Sequence, residues 1–100
     1  MLIDFNFRHF QPSDELMAYV SERFHKLVKF GRKSVRAEVI FSSQKKTKRV
    51  DVHVRGARLD LHAKAESEDF FESIDLVSER LSTQMGRKRG RKRESRRNAV

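Results

Sequence analysis

The fold of this chain is decided by the stretch HAKAESEDFFESIDLVSERLSTQMGRKRGRKR, which runs from His62 to Arg93. Its first residues alternate between apolar and polar side chains, which is typical of a strand with one buried face. Apolar side chains then recur from Phe70 to Met85 at helical spacing, which predicts an amphipathic helix. Ser67 is the candidate N-cap of that helix. The rest of the chain is expected to supply the sheet against which the helix packs.

Four segments with a period of two predict the strands of this sheet. They are residues 3–7, 35–41, 50–54 and 59–65, the last of which leads into the helix. The polar, basic segment 42–49 is expected to be a loop or the frayed end of a hairpin.

A second amphipathic helix is predicted between the first two strands. Ser13, directly after Pro12, is its candidate N-cap. This helix is expected to end at Phe30, with Gly31 as its left-handed terminator. The order β-α-β-β-β-α predicts an α+β fold, a two-layer sandwich in which a four-stranded mixed sheet carries two helices on one face, as in a double-stranded-RNA-binding domain (dsRBD-like). The first two strands, joined through a helix, are expected to be parallel neighbours.

The hairpin of the third and fourth strands has a predicted register. Gly56 and Ala57 fit a two-residue turn with Gly first. This turn would place His53 opposite Asp60, and every apolar residue of both strands would then lie on one face. The histidines of this hairpin are expected on the solvated face of the sheet.

The net charge of +9 is concentrated at the C-terminal end of the chain. Residues 1–85 hold 15 Lys and Arg against 13 Asp and Glu, whereas residues 86–97 hold eight basic residues and one acid. We expect a folded domain over residues 1–88 and a basic tail over residues 89–100 that is disordered without a partner. Such charge asymmetry indicates nucleic acid or another anionic surface as the partner.

Catalysis has no support in the sequence. The chain has no Cys, which excludes disulfides and thiolate metal sites, and its four His show no spacing typical of a metal site. It has no glycine-rich phosphate loop and no recognisable nucleophile–base arrangement. We therefore expect a protein that is not an enzyme and that has no cofactor and no small-molecule substrate. No membrane span or signal peptide is predicted, so a cytoplasmic location is expected.

Binding to a polyanion has more support. Basic residues follow one flank of the first helix at a spacing of three, and others follow one flank of the second. If the helices lie side by side, their basic ends would form one surface that neutralises phosphates without reading bases. The candidate RNA-binding residues are Arg23, Lys26, Lys29, Arg32, Lys33, Arg80, Arg87, Lys88, Arg89, Arg91, Lys92 and Arg93.

Alternatives to this interpretation are open. The basic residues of the first helix are equally consistent with an ordinary solvated face. The chain is also consistent with a general nucleic-acid-binding module that acts through its basic tail. Most Phe residues fall at core positions and the outer sheet face carries acids, which argues against stacking of single-stranded bases and favours recognition of structured RNA by backbone and shape.

Three features together form a recognisable pattern. They are the element order, the form Tyr19-x-x-x-Arg23-Phe24-x-Lys26-Leu27 after Pro12-Ser13, and the segment His62-Ala63-x-Ala65-x-Ser67-x-Asp69-Phe70-x-x-Ser73-Ile74-Asp75. This pattern resembles the hibernation-promoting factor family, which includes the ribosome-associated inhibitor A proteins. The resemblance covers about residues 1–89 and is most specific over residues 62–81.

The resemblance implies a bacterial ribosome-binding protein that acts in stationary phase or under stress. Proteins similar to this one bind the small subunit in the channel used by mRNA and the A- and P-site tRNAs, and so block translation. The implied partners are the small ribosomal subunit, its ribosomal RNA and the whole ribosome. The chain resembles the short forms, since it ends without the extra C-terminal dimerisation domain of the long members.

The resemblance also assigns individual residues. Two positions depart from the family pattern: Thr83, where a basic residue is usual, and Gly86, where the family's helix normally continues. The residues that match basic positions of the pattern are Arg23, Lys26, Arg80, Arg87 and Arg89.

Overall fold

The computed structural model describes residues 1–27, 35–56 and 58–89. The order of its elements is the predicted one, which confirms the α+β fold class. The elements are β1 (Leu2–Arg8), α1 (Asp14–Leu27), β2 (Arg36–Gln44), β3 (Thr47–Gly56), β4 (Leu59–Ser67) and α2 (Phe70–Arg89). The predicted end of the first helix, at Phe30 and Gly31, lies outside the described residues.

The strands form one mixed sheet in the order β1-β2-β3-β4. β1 is parallel to β2, as the helical connection predicts, and the other two pairs are antiparallel. β1 and β4 are therefore the two edges of the sheet.

The core lies between one face of this sheet and the two helices. Alternate residues of β2, β3 and β4 are buried, and they join buried residues of both helices in a single apolar cluster. Leu16, Val20 and Phe24 are contributed by α1, whereas Ile74 and Leu81 belong to α2. This arrangement confirms two helices on one face of the sheet and leaves the other face in solvent.

The predicted register of the β3–β4 hairpin is wrong by two residues. Gly56 pairs with Leu59, and His53 lies opposite His62, with 5.4 Å between the ring centroids. Asp60 still binds His53, because the His53 Nε2 lies 2.7 Å from the Asp60 Oδ1 in a diagonal contact, and this hydrogen bond lowers the pKa of Asp60. A shift of two residues keeps every side chain on its face, so the apolar pattern fits both registers equally well.

The β2–β3 hairpin is longer than predicted. Both strands continue through the basic segment to Gln44 and Thr47, so the turn between them consists of Lys45 and Lys46 alone. Lys45 has a φ of 52°, in the left-handed region that such tight turns use. The Lys48 Nζ donates to the Ser43 Oγ at 2.8 Å and thereby ties the two strands together next to the turn.

The N-terminus of α2 is capped differently from the prediction. Asp69, not Ser67, is the N-cap, since its Oδ1 accepts from the Phe71 N–H at 3.0 Å and its carbonyl accepts from the Ser73 N–H. Ser67 ends β4, and its Oγ lies 2.7 Å from the Ser73 Oγ. The Ser73 hydroxyl in turn donates to the Lys48 carbonyl, which fixes the first turn of α2 against β3. The predicted Ser13 cap of α1 is confirmed by its bond from the Leu16 N–H.

α2 continues through Gly86 to Arg89. A Cβ atom placed on Gly86 would have no other atom within 4 Å. The glycine therefore weakens the helix through its backbone entropy but does not interrupt it.

Replacing Gly86 with Ala is expected to raise the free energy of unfolding by about 0.5–1 kcal/mol, because Ala loses less backbone entropy in a helix. Urea unfolding would measure the gain, and amide exchange over residues 86–89 would locate it in the last turn. A lower stability of the Gly86→Ala variant would contradict the open surroundings of this position.

Candidate nucleic-acid interface

The two helices lie side by side and run in the same direction. The ring centroids of Tyr19 and Phe71 are 5.0 Å apart, and one turn further along Arg23 meets Asp75. At the end of α1, Lys26 lines a groove that also contains Ser78 and Ser82 of α2. Because residue numbers increase together along both helices at these contacts, the C-terminal ends of the two helices lie at the same end of the molecule.

On the two helices themselves, this arrangement separates acidic from basic side chains. The end where both helices begin carries acids on each, among them Asp14, Glu15 and Glu72. The opposite end, which we call the basic end, has Lys26 in the last described turn of α1 and the GRKR sequence of residues 86–89 in the last turn of α2. Cations there also complement the negative ends of two parallel helix dipoles, which add rather than cancel.

The sheet contributes to the basic end as well. α2 runs antiparallel to β4, since Arg80 contacts the backbone of Lys64 and Gln84 contacts that of His62. The turn from β3 to β4 therefore lies beside the end of α2, and the exposed Arg55 lies at this end of the sheet, on the face away from the helices. Arg55 was not among the candidate residues of the sequence analysis.

Arg23 is held between the helices. Its Nη2 lies 2.6 Å from the Asp75 Oδ1 and donates to the Tyr19 hydroxyl at 2.9 Å, and that hydroxyl donates to the same Asp75 oxygen. The bond to Tyr19, together with the Asp75 carboxylate, raises the pKa of Arg23. Its side chain is still 39% exposed, so the guanidinium keeps a face toward solvent while it joins α1 to α2.

Replacing Tyr19 with Phe should lower the free energy of unfolding by about 1 kcal/mol, because it removes the hydroxyl that bridges the helices and leaves the ring packing in place. Urea unfolding of the Tyr19→Phe, Asp75→Asn and double variants would measure the coupling. Additive losses in the double variant would show that the two groups do not interact.

Arg80 lies on the other flank of α2. It donates to the Lys64 carbonyl, and Gln84 donates to the His62 carbonyl at 2.8 Å. Glu79 lies between the two flanks and lines the grooves on both sides. The structure thus places Arg80 and Arg23 in separate grooves, and part of the donor capacity of Arg80 is used to cover the edge of β4.

A family model described as Sigma 54 modulation protein / S30EA ribosomal protein matches residues 3–93. The chain belongs to this family. The match confirms the resemblance to the hibernation-promoting factors.

Solved structures agree with the family match. A ribosomal subunit interface protein from Coxiella burnetii is 26% identical, with a TM-score of 0.77, over 88% of this chain and 97% of the other. The N-terminal domain of Thermus thermophilus Protein Y is 24% identical, with a TM-score of 0.78, over 89% of this chain and 100% of the other, and it supports the fold. A search of curated protein sequences finds no match.

In this member of the S30EA family, the predicted RNA-binding residues lie in separate places and do not form one cluster. Arg23 and Lys26 flank the groove between the helices, and Arg80 lies against β4. The backbone of residues 87–89 forms the last turn of α2 at the basic end. Their contacts with RNA remain predictions. The candidates outside the described residues are Lys29, Arg32, Lys33, Arg91, Lys92 and Arg93.

Two further features of this family member were not predicted. Gln84, like Arg80, donates to a backbone carbonyl at the edge of β4. Ser78 is buried in the groove between the helices, and its hydroxyl has no hydrogen-bond partner among the described residues. In the part of the chain that the structure describes, no group of His, Asp and Glu is placed to hold a metal ion, and no helix is long and apolar enough to cross a membrane.

Proposed function

We propose that this protein binds the small ribosomal subunit through ribosomal RNA, with its basic end against the RNA, and blocks translation during stress or stationary phase. It acts in the cytoplasm, where its partners are the small subunit and the whole ribosome. It acts by occupying space in the decoding and tRNA channel and carries out no reaction.

The observation that carries this proposal is the parallel arrangement of the helices. It collects at one end the basic residues that are more than 50 positions apart in the sequence, namely Lys26 and the GRKR of α2. Membership of a family named for a ribosomal protein, and similarity to a protein titled a ribosomal subunit interface protein, support the ribosome as the source of the RNA.

The geometry favours recognition of phosphates over recognition of bases. Lysine and arginine at the basic end would neutralise phosphates and release counterions. The solvated sheet face carries no Phe, Tyr or Trp among the described residues, so it offers no platform on which bases could stack. Its charged side chains pair with one another instead. Examples are Arg49 with Asp51 at 2.8 Å and with Glu66 at 3.0 Å.

Co-sedimentation with purified small subunits at moderate salt tests the proposal. We expect the full chain to pellet with small subunits and with whole ribosomes, and to inhibit translation in a purified system. A chain that pellets with neither at moderate salt, or that binds without inhibiting translation, would overturn the proposal.

Removal of residues 90–100 separates this proposal from a general nucleic-acid-binding module. The cut leaves α2 complete and removes five basic residues and one acid. The slope of log K against log salt should fall by up to about 4. If the proposal holds, the shortened chain still prefers small subunits to unrelated structured RNA. If the tail alone binds, that preference is absent in both chains and nearly all affinity is lost.

A further inference from the structure

The two edge strands of the sheet differ in whether their outward backbone groups have hydrogen-bond partners. At β4, side chains of α2 donate to the outward carbonyls of His62 and Lys64, so the middle of this edge is covered. At β1, no described residue beyond β2 pairs with the strand's backbone. An uncovered edge strand is a template for pairing with another chain.

The unpaired backbone groups of β1 belong to three residues. The Leu2 N–H donates to the Val35 carbonyl at 3.0 Å, so the even-numbered residues direct their backbone groups toward β2. Alternate residues point the other way, so Ile3, Phe5 and Phe7 direct their N–H and C=O groups to the open edge. Their side chains lie on the core side of the sheet but are only half-buried, unlike the inward apolar residues of the other strands.

We propose that β1 pairs with β1 of a second copy of this chain, antiparallel about a two-fold axis at Phe5. Phe5 then lies opposite Phe5 of the second copy, and Ile3 lies opposite its Phe7. Every outward-directed residue is used, and each pair exchanges two hydrogen bonds. The pairing joins two four-stranded sheets into one continuous eight-stranded sheet. The half-buried apolar side chains of both copies then pack together on its core side.

The outer face of this pairing indicates that a second copy is the occupant. Asp4 comes opposite Asn6 of the second copy, so no like charges are directly opposed. Leu2, whose exposure is 53%, comes opposite Arg8. The strand is thus complementary to itself in the one antiparallel register that satisfies all three outward residues.

The two-fold axis is perpendicular to the sheet and reverses the strand direction. The basic ends of the two copies therefore point in opposite directions, and both stay free for RNA. Each chain has a net charge of +9, so the copies repel one another at low salt. Added salt should strengthen the dimer, whereas it weakens binding to RNA. The dimer does not depend on the proposed ribosomal function.

Sedimentation equilibrium and amide exchange on the full chain test the proposal between micromolar and millimolar protein. We expect a monomer–dimer equilibrium that shifts toward dimer at high salt. The amides of Ile3, Phe5 and Phe7 should become protected as protein concentration rises. Those of Asp4 and Asn6, which bond to β2, should be protected at every concentration.

Variants at the exposed Asn6 test the register. The Asn6→Asp variant places a second acid opposite Asp4 of the other copy in each half of the interface, which should weaken dimerisation about fivefold. The Asn6→Lys variant places a cation opposite the same Asp4 and should strengthen dimerisation about fivefold. Gln44, also exposed, lies at the end of β2 away from the edge. Gln44→Glu and Gln44→Lys make the same charge changes and should leave the dimer within about twofold.

Three results would overturn the proposal. The first is a monomer at millimolar protein and high salt, with fast exchange at Ile3, Phe5 and Phe7. The second is an association that responds equally to the changes at Asn6 and Gln44, which would place the interface elsewhere. The third is protection of the three amides that does not depend on concentration, which would mean that a segment of the same chain covers the edge.

Discussion

Replacing Lys88 and Arg89 with Gln should lower affinity for the small subunit about a hundredfold near 0.1 M salt, since each lost phosphate contact costs roughly tenfold under those conditions. These residues lie in the last turn of α2, at the basic end. Filter binding or co-sedimentation across a salt series would measure both the affinity and its slope. The slope of log K against log salt should become shallower by about 1.4–1.8.

The matched control is the same pair of exchanges at the other end of the molecule. Lys45 and Lys46 form the exposed turn of the β2–β3 hairpin, next to the end where both helices begin. Replacing both with Gln removes the same charge and should leave affinity within about twofold, because steering by net charge alone is weak at this salt.

A comparison of the two double variants decides between position and net charge. Equal losses in both would contradict a binding site at the basic end and would favour a general attraction to polyanions. A larger loss at the hairpin would place the RNA at the opposite end of the molecule. Urea unfolding of each variant should confirm that neither exchange alters stability by more than about 0.5 kcal/mol.

Replacing Phe41 with Ala should lower the free energy of unfolding by about 4 kcal/mol. Phe41 is fully buried in β2 and links three elements. Its ring stacks on Phe7 of β1 at 4.8 Å between centroids and meets the edge of Phe70 of α2 at 5.5 Å. Its loss would leave a cavity between the edge strand and the first turn of α2, and urea unfolding would measure the cost.

Phe41→Leu is the matched control, because it keeps most of the apolar volume and should cost about 1–1.5 kcal/mol. The difference in the free energy of unfolding between the two variants measures the cost of the cavity. A loss below about 2 kcal/mol for Phe41→Ala would mean that the neighbouring rings close over the site, and would contradict the close packing of this cluster.

Local patterns predicted most elements of this fold. The alternation of apolar and polar residues predicted the strands. The helical spacing of apolar residues, together with the N-cap Ser13, predicted α1. Errors arose where two local solutions have the same pattern. Ser67 and Asp69 are both good N-caps, and the choice depended on how far β4 continues along β3. Gly86 weakened the predicted helix, but packing of Met85 and Leu81 in the core carries α2 past it.

The candidate site depended more heavily on tertiary structure. Arg23 and Asp75 are 52 positions apart, and their contact follows from the packing of α1 beside α2. Arg80 was predicted as an RNA ligand from its place on one flank of the second helix and from the family resemblance, and the sequence did not indicate that it also donates to the β4 backbone. No periodicity reports which polar groups at a sheet edge need a partner.

In the stretch from His62 to Arg93, the sequence by itself determined a strand, an amphipathic helix and a concentration of positive charge, because these depend on neighbours within a few residues. Only the tertiary structure decided the two-residue shift of β4, since a period of two fits every even register. It also decided that α1 and α2 lie side by side, which is the condition on which the sequence placed their basic ends on one surface. That packing brings basic residues from distant parts of the sequence to one end of the molecule.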